Sequence, residues 1–268
     1  MCRRLTLAVA ALVSLAAAAP AEPPKKLLLL FQQPDGHPPA THEYEAGVKL
    51  LAKLLKPVPG LEVTVARADS PWKEGPELLG RADGAVLFLS EGARWMQSDA
   101  ERWKAFTQLG QRGGSLVVLH WAMGVRDAQY VEGCVNLLGG CHGGPDRKYQ
   151  VLETDLKLVE PRHPITAGIE AFRVHEEFYY RLKFPPAKMG WQPVLQAAID
   201  GKDETVAWAW QRPDGGRSFG FSGLHFHENW RLPAYRRLVV QGTLWSLKLP
   251  IPKDGLAVDV AEHDLKIK

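Results

Sequence analysis

KKLLLLFQ, residues Lys25–Gln32, is an unbroken apolar run framed by charge at its start and by a Pro/Gly loop, PDGHPP at 34–39, soon after its end. A short run without polar alternation fits a strand covered on both faces. GAVLFL at 84–89 and SLVVLH at 115–120 read the same way, while LEVTVA at 61–66 alternates. Between these runs lie helical patterns. Residues 43–55 place Ala46, Leu50 and Leu54 on one face before Pro57 and Pro59 stop the helix. Residues 98–111 begin at Ser98, a cap with Glu101 three positions on, and end at Gly113-Gly114. Strand and helix in alternation predict an α/β domain with a central, mostly parallel sheet and helices on both faces.

The second half of the chain changes character. Shorter, partly alternating strands are expected at 149–152, 178–182, 193–199, 205–211 and 217–222, the last two joined by the hairpin turn Arg212-Pro213-Asp214-Gly215-Gly216. A closing amphipathic helix is expected at 233–247, with a loosely packed tail from Pro250. No linker divides the chain, so residues 22–249 read as one domain and 250–268 as a C-terminal extension.

Residues 1–21 have the layout of a signal peptide: basic Arg3 and Arg4, an apolar run from Leu5 to Ala19, then Ala19-Pro20-Ala21. The run is shorter than the roughly 20 residues a membrane-spanning helix needs. Cleavage is expected after Ala21, placing the mature protein in the periplasm or outside the cell. Removing 21 of 268 residues leaves 247, and losing two arginines takes the net charge from +3 to +1. That balance, without a concentrated basic face, argues against nucleic acid as a partner. No later segment is apolar enough for stable membrane insertion. The mature chain keeps Cys134 and Cys141, whose pairing the sequence leaves open, as it does the oligomeric state.

In open parallel sheets, ligands bind beyond the carboxyl ends of the strands. Seven of the nine histidines flank motifs, counting His163, and six of them fall near such strand ends. His37 and His42 follow the first strand, His120-Trp121 ends the fourth, and His142 lies in the glycine-rich loop after it. His225 and His227 follow the last strand. Histidine suits proton transfer, metal ligation and hydrogen bonding to hydroxyls. His163, in Arg162-His163-Pro164, reads instead as a turn residue. Glu176 and Glu177 face opposite ways if they lie on a strand, so at most one joins a pocket.

Leu119-His120-Trp121-Ala122, Leu137-Leu138-Gly139-Gly140 with His142, His163-Pro164-Ile165-Thr166-Ala167-Gly168-Ile169, Glu176-Glu177-Phe178-Tyr179, Gly216-Arg217 through Leu224-His225 and Trp230, and the closing helix with Gly242 and Trp245 occur in that order. In this order the chain resembles the trehalose-utilisation (ThuA-like) family. The resemblance implies a flavodoxin-like sheet of the class I glutamine amidotransferase type and a role in sugar catabolism. Against the family pattern, Trp121 stands where a small residue is usual and Glu176 where aspartate is common. A glutaminase needs a cysteine nucleophile on the tight turn after a strand. Here that turn reads His120-Trp121-Ala122-Met123-Gly124, so glutaminase activity is rejected.

Two readings follow. In the first, His120, His142, Glu177 and His225 form a catalytic site for a disaccharide or keto-sugar, with His42, Trp121, Tyr179 and Trp230 contacting substrate. A divalent metal is the candidate cofactor, held by His120, His142 and His225. The chemistry is then metal-assisted proton transfer beside a carbonyl, or glycosidic cleavage by acid and base groups. In the second, the same pocket binds carbohydrate without changing it, or the domain serves as an assembly part.

Overall fold

The computed structural model describes residues 23–186 and 189–267, so the expected signal peptide and its cleavage site lie outside the described residues. The elements run β1 (Lys25–Phe31), α1 (Tyr44–Leu55), β2 (Leu61–Arg67), α2 (Gly75–Arg81), β3 (Gly84–Leu87), α3 (Gly92–Gln97), α4 (Ala100–Gln111), β4 (Ser115–Leu119) and α5 (Val131–Leu138). There follow β5 (Lys148–Leu158), β6 (Phe172–Tyr180), β7 (Trp191–Ile199), β8 (Lys202–Gln211), β9 (Arg217–Phe221) and α6 (Pro233–Ser246). All nine strands form one sheet, in the order β2-β1-β3-β4-β9-β8-β7-β5-β6.

The apolar runs are unbroken because both faces of the sheet are covered. On one face Leu27, Leu29 and Phe31 of β1 pack with Val48 and Leu51 of α1 and with Leu238 and Leu244 of α6. On the other, Leu28 and Leu30 pack with Leu79, Met96, Phe106, Leu109 and Leu138, from the remaining four helices. Each fully buried leucine contributes roughly 1.5–3 kcal/mol relative to exposure. The cap of helix α4 is Asp99, one residue after the expected Ser98, and it accepts from the Arg102 amide at 2.8 Å.

The expectation of a mostly parallel sheet needs correcting. β2, β1, β3, β4 and β9 are mutually parallel, but β9 to β8, β8 to β7, β7 to β5 and β5 to β6 are antiparallel. The reason lies in the connections. Short turns such as Asp200-Gly201 and residues 212–216 join neighbours directly, and a hairpin imposes antiparallel pairing, whereas parallel pairing needs a crossover. β5 and β6 are also much longer than expected.

The tail is not loosely packed. Val258 is buried and Leu256, Val260 and Leu265 lie against the core. Arg236 Nε donates to the Val258 carbonyl at 2.7 Å, and the Leu256 amide donates to Gln241 at 2.8 Å. Among the described residues no helix is long and apolar enough to cross a membrane.

Candidate functional site

Four side chains from distant parts of the chain meet beyond the carboxyl ends of β4 and β9. The ligand atoms of His42, His120, Glu177 and His225 all lie within 4.8 Å of one another. His42 sits between β1 and α1, His120 follows β4 directly, Glu177 lies on β6, and His225 is in the loop after β9. Three corners of the cluster have left-handed backbone: His42 at φ 51°, His120 at φ 50° and Leu224 at φ 85°. Non-glycine residues held there cost of order 1–3 kcal/mol each and persist where the surroundings over-determine them. Gly223 is needed beside them, since a Cβ would stand 2.5 Å from the Tyr235 hydroxyl.

His42 Nδ1 lies 2.9 Å from Asp35 Oδ2, and His120 Nδ1 lies 2.8 Å from the Ser222 carbonyl. Both partners only accept, so each ring donates from Nδ1 and turns an accepting Nε2 inward. The two Nε2 atoms stand 3.0 Å apart. Glu177 Oε1 is 3.9 Å from His120 Nε2 and 3.5 Å from His225 Nδ1. The Tyr179 hydroxyl lies 3.0 Å from His120 Nε2. The cluster reaches the surface at Glu177 and His225, each 8% exposed. A separate cavity of about 390 Å³, bordered by Lys49, Lys53, His263 and Asp264, meets the site only through His42 and Tyr44.

Burial disfavours the charged form of the three cluster histidines. It lowers His42 despite the opposing pull of Asp35, and takes His120 well below the usual range with help from the charge of His42. His225 falls to about 4, through burial and then repulsion from His42 and His37. Glu177 moves the other way, pushed up to about 7 by burial and then by the neighbouring Glu176 carboxyl. Asp35 resists burial, because hydrogen bonds from His42 and Tyr44 hold it well below the usual carboxylate range.

The adjacent glutamates divide the work as strand alternation requires. Glu177 enters the pocket. Glu176 turns away into a nest of donors: the amides of Glu177 at 2.8 Å, Leu224 at 3.0 Å and His225 at 3.1 Å, Asn229 Nδ2 at 3.0 Å, and the Tyr235 hydroxyl. It holds the loop that presents His225.

His120, Glu177 and His225 therefore come together as the sequence suggests, and His42, expected as a substrate contact, joins them as a member of the cluster. His142 does not. Tyr179 lies between it and His120, stacked on His142 at 4.2 Å and on His120 at 4.5 Å between ring centroids. His142 is placed as a support for Tyr179, its own pKa lowered to about 3 by burial and then by Arg147 and Lys183. Trp121 is buried edge-on to His142, and Trp230 is buried in the core. Neither offers a free face for stacking. His227 is buried on the short turn His227–Arg231, and His163 accepts from the Ile165 amide at 3.1 Å. Cys134 and Cys141 are buried free thiols.

Sequence reasoning passed over Asp35 and Tyr44. Asp35 stands in the same loop as His37 and His42, beyond the first buried strand, and that position was its available signal. It binds His42, the Tyr44 hydroxyl at 2.7 Å and His37 Nδ1 at 2.7 Å, while His37 stacks on His42 at 3.7 Å.

The lowered histidines set the pH dependence of the metal-free protein. His42, His120, His142, His163, His225 and His227 all titrate below the ordinary value of 6.5 when folded. Below that pH the unfolded chain takes up protons that the folded chain refuses, so stability falls as pH drops. Glu176 and Glu177, raised by burial, act in the opposite sense but are only two against six. The melting temperature should therefore fall between pH 7 and pH 5 in a thermal-denaturation series. A flat or rising trend would mean that the histidines titrate normally.

Residues 28–246 match a family model described as ThuA, trehalose utilisation. Among solved structures, a ThuA-like protein from Bacteroides uniformis ATCC 8492 has a TM-score of 0.65 at 17% identity, covering 85% of this chain and 94% of that one. A ThuA-like protein from Parabacteroides merdae ATCC 43184 gives 0.63 at 16% identity, covering 91% and 100%. The glutaminase domain of Trypanosoma brucei CTPS gives 0.47 at 11%, covering 87% and 98%. A search of curated proteins returns no match.

Proposed function

We propose that this chain, which belongs to the trehalose-utilisation (ThuA) family, is an exported, metal-assisted acid–base enzyme acting on a disaccharide or a keto derivative of one. The family supplies the sugar; the chemistry rests on the site. One observation carries the reading: the inward Nε2 atoms of His42 and His120 face each other at 3.0 Å, with Glu177 and His225 beside them. Two ring nitrogens converging at that distance suit a shared cation. A proton is disfavoured, because burial lowers the pKa of both rings. A divalent metal suits them, since neutral imidazole is its preferred nitrogen ligand.

The spacing of the donors supports this. The His42 and His120 nitrogens at 3.0 Å are close to the roughly 3.3 Å edge of a tetrahedron with bonds of about 2.0–2.1 Å, and the ligand atom of His225 lies within 4.8 Å of both. His42, His120 and His225 would hold the ion, with Asp35 and the Ser222 carbonyl orienting the first two from behind. Three protein nitrogens leave a position open, as in catalytic rather than structural zinc sites. When bound, such an ion polarises a carbonyl or hydroxyl oxygen.

Glu177 is the acid–base group. At about 7 its pKa lets it hold or release a proton near neutrality. A second carboxylate is not free: Glu176 is occupied by its donors and Asp35 by His42, so paired-carboxylate glycoside hydrolysis fits less well than proton transfer beside a carbonyl.

The test combines metal analysis with proton exchange. Purified protein loaded with zinc or manganese should retain one ion per chain, and should catalyse exchange of the carbon-bound proton beside the carbonyl of a keto-disaccharide in heavy water, followed by NMR. Glu177→Gln should keep the metal and slow exchange by about a hundredfold or more. Protein that holds no ion and supports no exchange would refute the reading.

A further inference from the structure

Resting on the carbohydrate reading above, we infer that Tyr149 and Val151 form a sugar-stacking ledge, a second subsite for the ring adjoining the one processed at Glu177. The β5–β6 ladder pairs Tyr149 with Tyr179, Val151 with Glu177, and Glu153 with His175. Directly opposed residues of an antiparallel pair project from the same face, with Cβ atoms about 4.5–5.5 Å apart. The face that carries Glu177 and Tyr179 into the site therefore continues outward onto Tyr149 and Val151.

That continuation is open. Tyr149 is 65% exposed and Val151 45%. β5 bonds to β7 only from Leu156 onward, so among the described residues its first half has β6 as its only strand partner. Tyr149 is also the only aromatic among the exposed large hydrophobic residues described, the others being Val65, Val151, Met189 and Ile267. An aromatic ring left in water beside a site opening suits a ligand that has an apolar face.

A pyranose has such a face, lined by C–H groups, and an edge of hydroxyls. The ledge matches both parts. Tyr149 and Val151 are its apolar floor, and Glu153 and His175 are polar groups at its far end, with His175 held by stacking on Phe226 at 5.1 Å. The buried Trp121 and Trp230 leave the stacking role unfilled, and Tyr149 fills it. A ring resting on Val151 lies beside the point where Glu177 reaches the surface. The site is thereby matched to a two-ring sugar rather than a single ring.

The test is an NMR titration of metal-loaded full-length protein with trehalose and, separately, with glucose. Tyr149→Ala should weaken trehalose binding roughly threefold to tenfold, with glucose binding and melting temperature unchanged. Tyr149→Phe should bind trehalose like the wild type. Wild-type protein that binds neither sugar would overturn the carbohydrate reading, and the ledge with it. Wild-type protein that binds trehalose, with Tyr149→Ala equal to it or weakened equally for glucose, would overturn the ledge alone. So would self-association of the wild type in sedimentation that Tyr149→Ala abolishes, since the face would then be an interface between copies.

Discussion

Replacing His120 with alanine should remove the metal from the cluster while leaving the protein folded. The imidazole supplies an inward Nε2 that no neighbour can replace. Loss of a group that merely orients a metal ligand costs about ten- to a hundredfold in affinity, so loss of the ligand itself should exceed a hundredfold. Turnover should fall with it. Stability should change little, because the ring's removal takes away the hydrogen bonds to the Ser222 carbonyl and the Tyr179 hydroxyl but also relieves the close approach of two ring nitrogens at 3.0 Å. The backbone provides a second handle. His120 holds φ 50° on the turn after β4, and alanine inherits that strain while glycine does not. His120→Gly should therefore lose the metal equally but melt above His120→Ala, by about 1 kcal/mol in stability. Metal analysis and calorimetry on the two variants check both statements. A stoichiometric ion in His120→Ala would contradict the assignment of the ligand.

The largest loss of stability should come from Glu176, one residue away from the proposed acid–base group. Its carboxylate is fully buried and accepts from three backbone amides, with the Phe226 amide more distant at 3.4 Å, and from Asn229 and Tyr235. Alanine would leave these donors facing an empty space, and each unsatisfied buried donor costs roughly 1–3 kcal/mol. Even with partial repair by water, a loss of about 4 kcal/mol is expected, lowering the melting temperature by roughly 8–16 °C. The loop carrying Leu224 and His225 would lose its anchor, so metal affinity should fall too. Glu176→Gln keeps the shape but turns one acceptor into a donor among donors, and should be intermediate. A melting temperature of Glu176→Ala within 2 °C of wild type would show that the nest does not hold the loop.

How much of this was legible in the sequence depended on whether the signal was local. β1, β3 and β4 were readable because burial on both faces leaves unbroken apolar runs, and the hairpin between β8 and β9 was readable because its turn residues announce it. β5 was cut short in the reading because Glu153, Asp155 and Lys157 break up its second half with charge, and β6 because Glu176 and Glu177 interrupt the apolar pattern. The direction of β5 to β9 was not readable from burial, since a buried strand looks alike whichever way it runs.

By itself, then, the amino-acid sequence determined the α/β architecture, the family, and the sheet edge at which His120 stands, because local burial and chain order carry that information. Only the tertiary structure decided the membership of the site. It turned Glu176 into its nest of donors, drew His42 inside, and set His142 behind Tyr179. Those outcomes depend on how β6 pairs with β5 and meets the loop after β9, which brings residues 48 to 50 positions apart into hydrogen-bonding distance. A one-residue shift in that pairing would turn every side chain of β6 to the other face, and no stretch of sequence read locally fixes it.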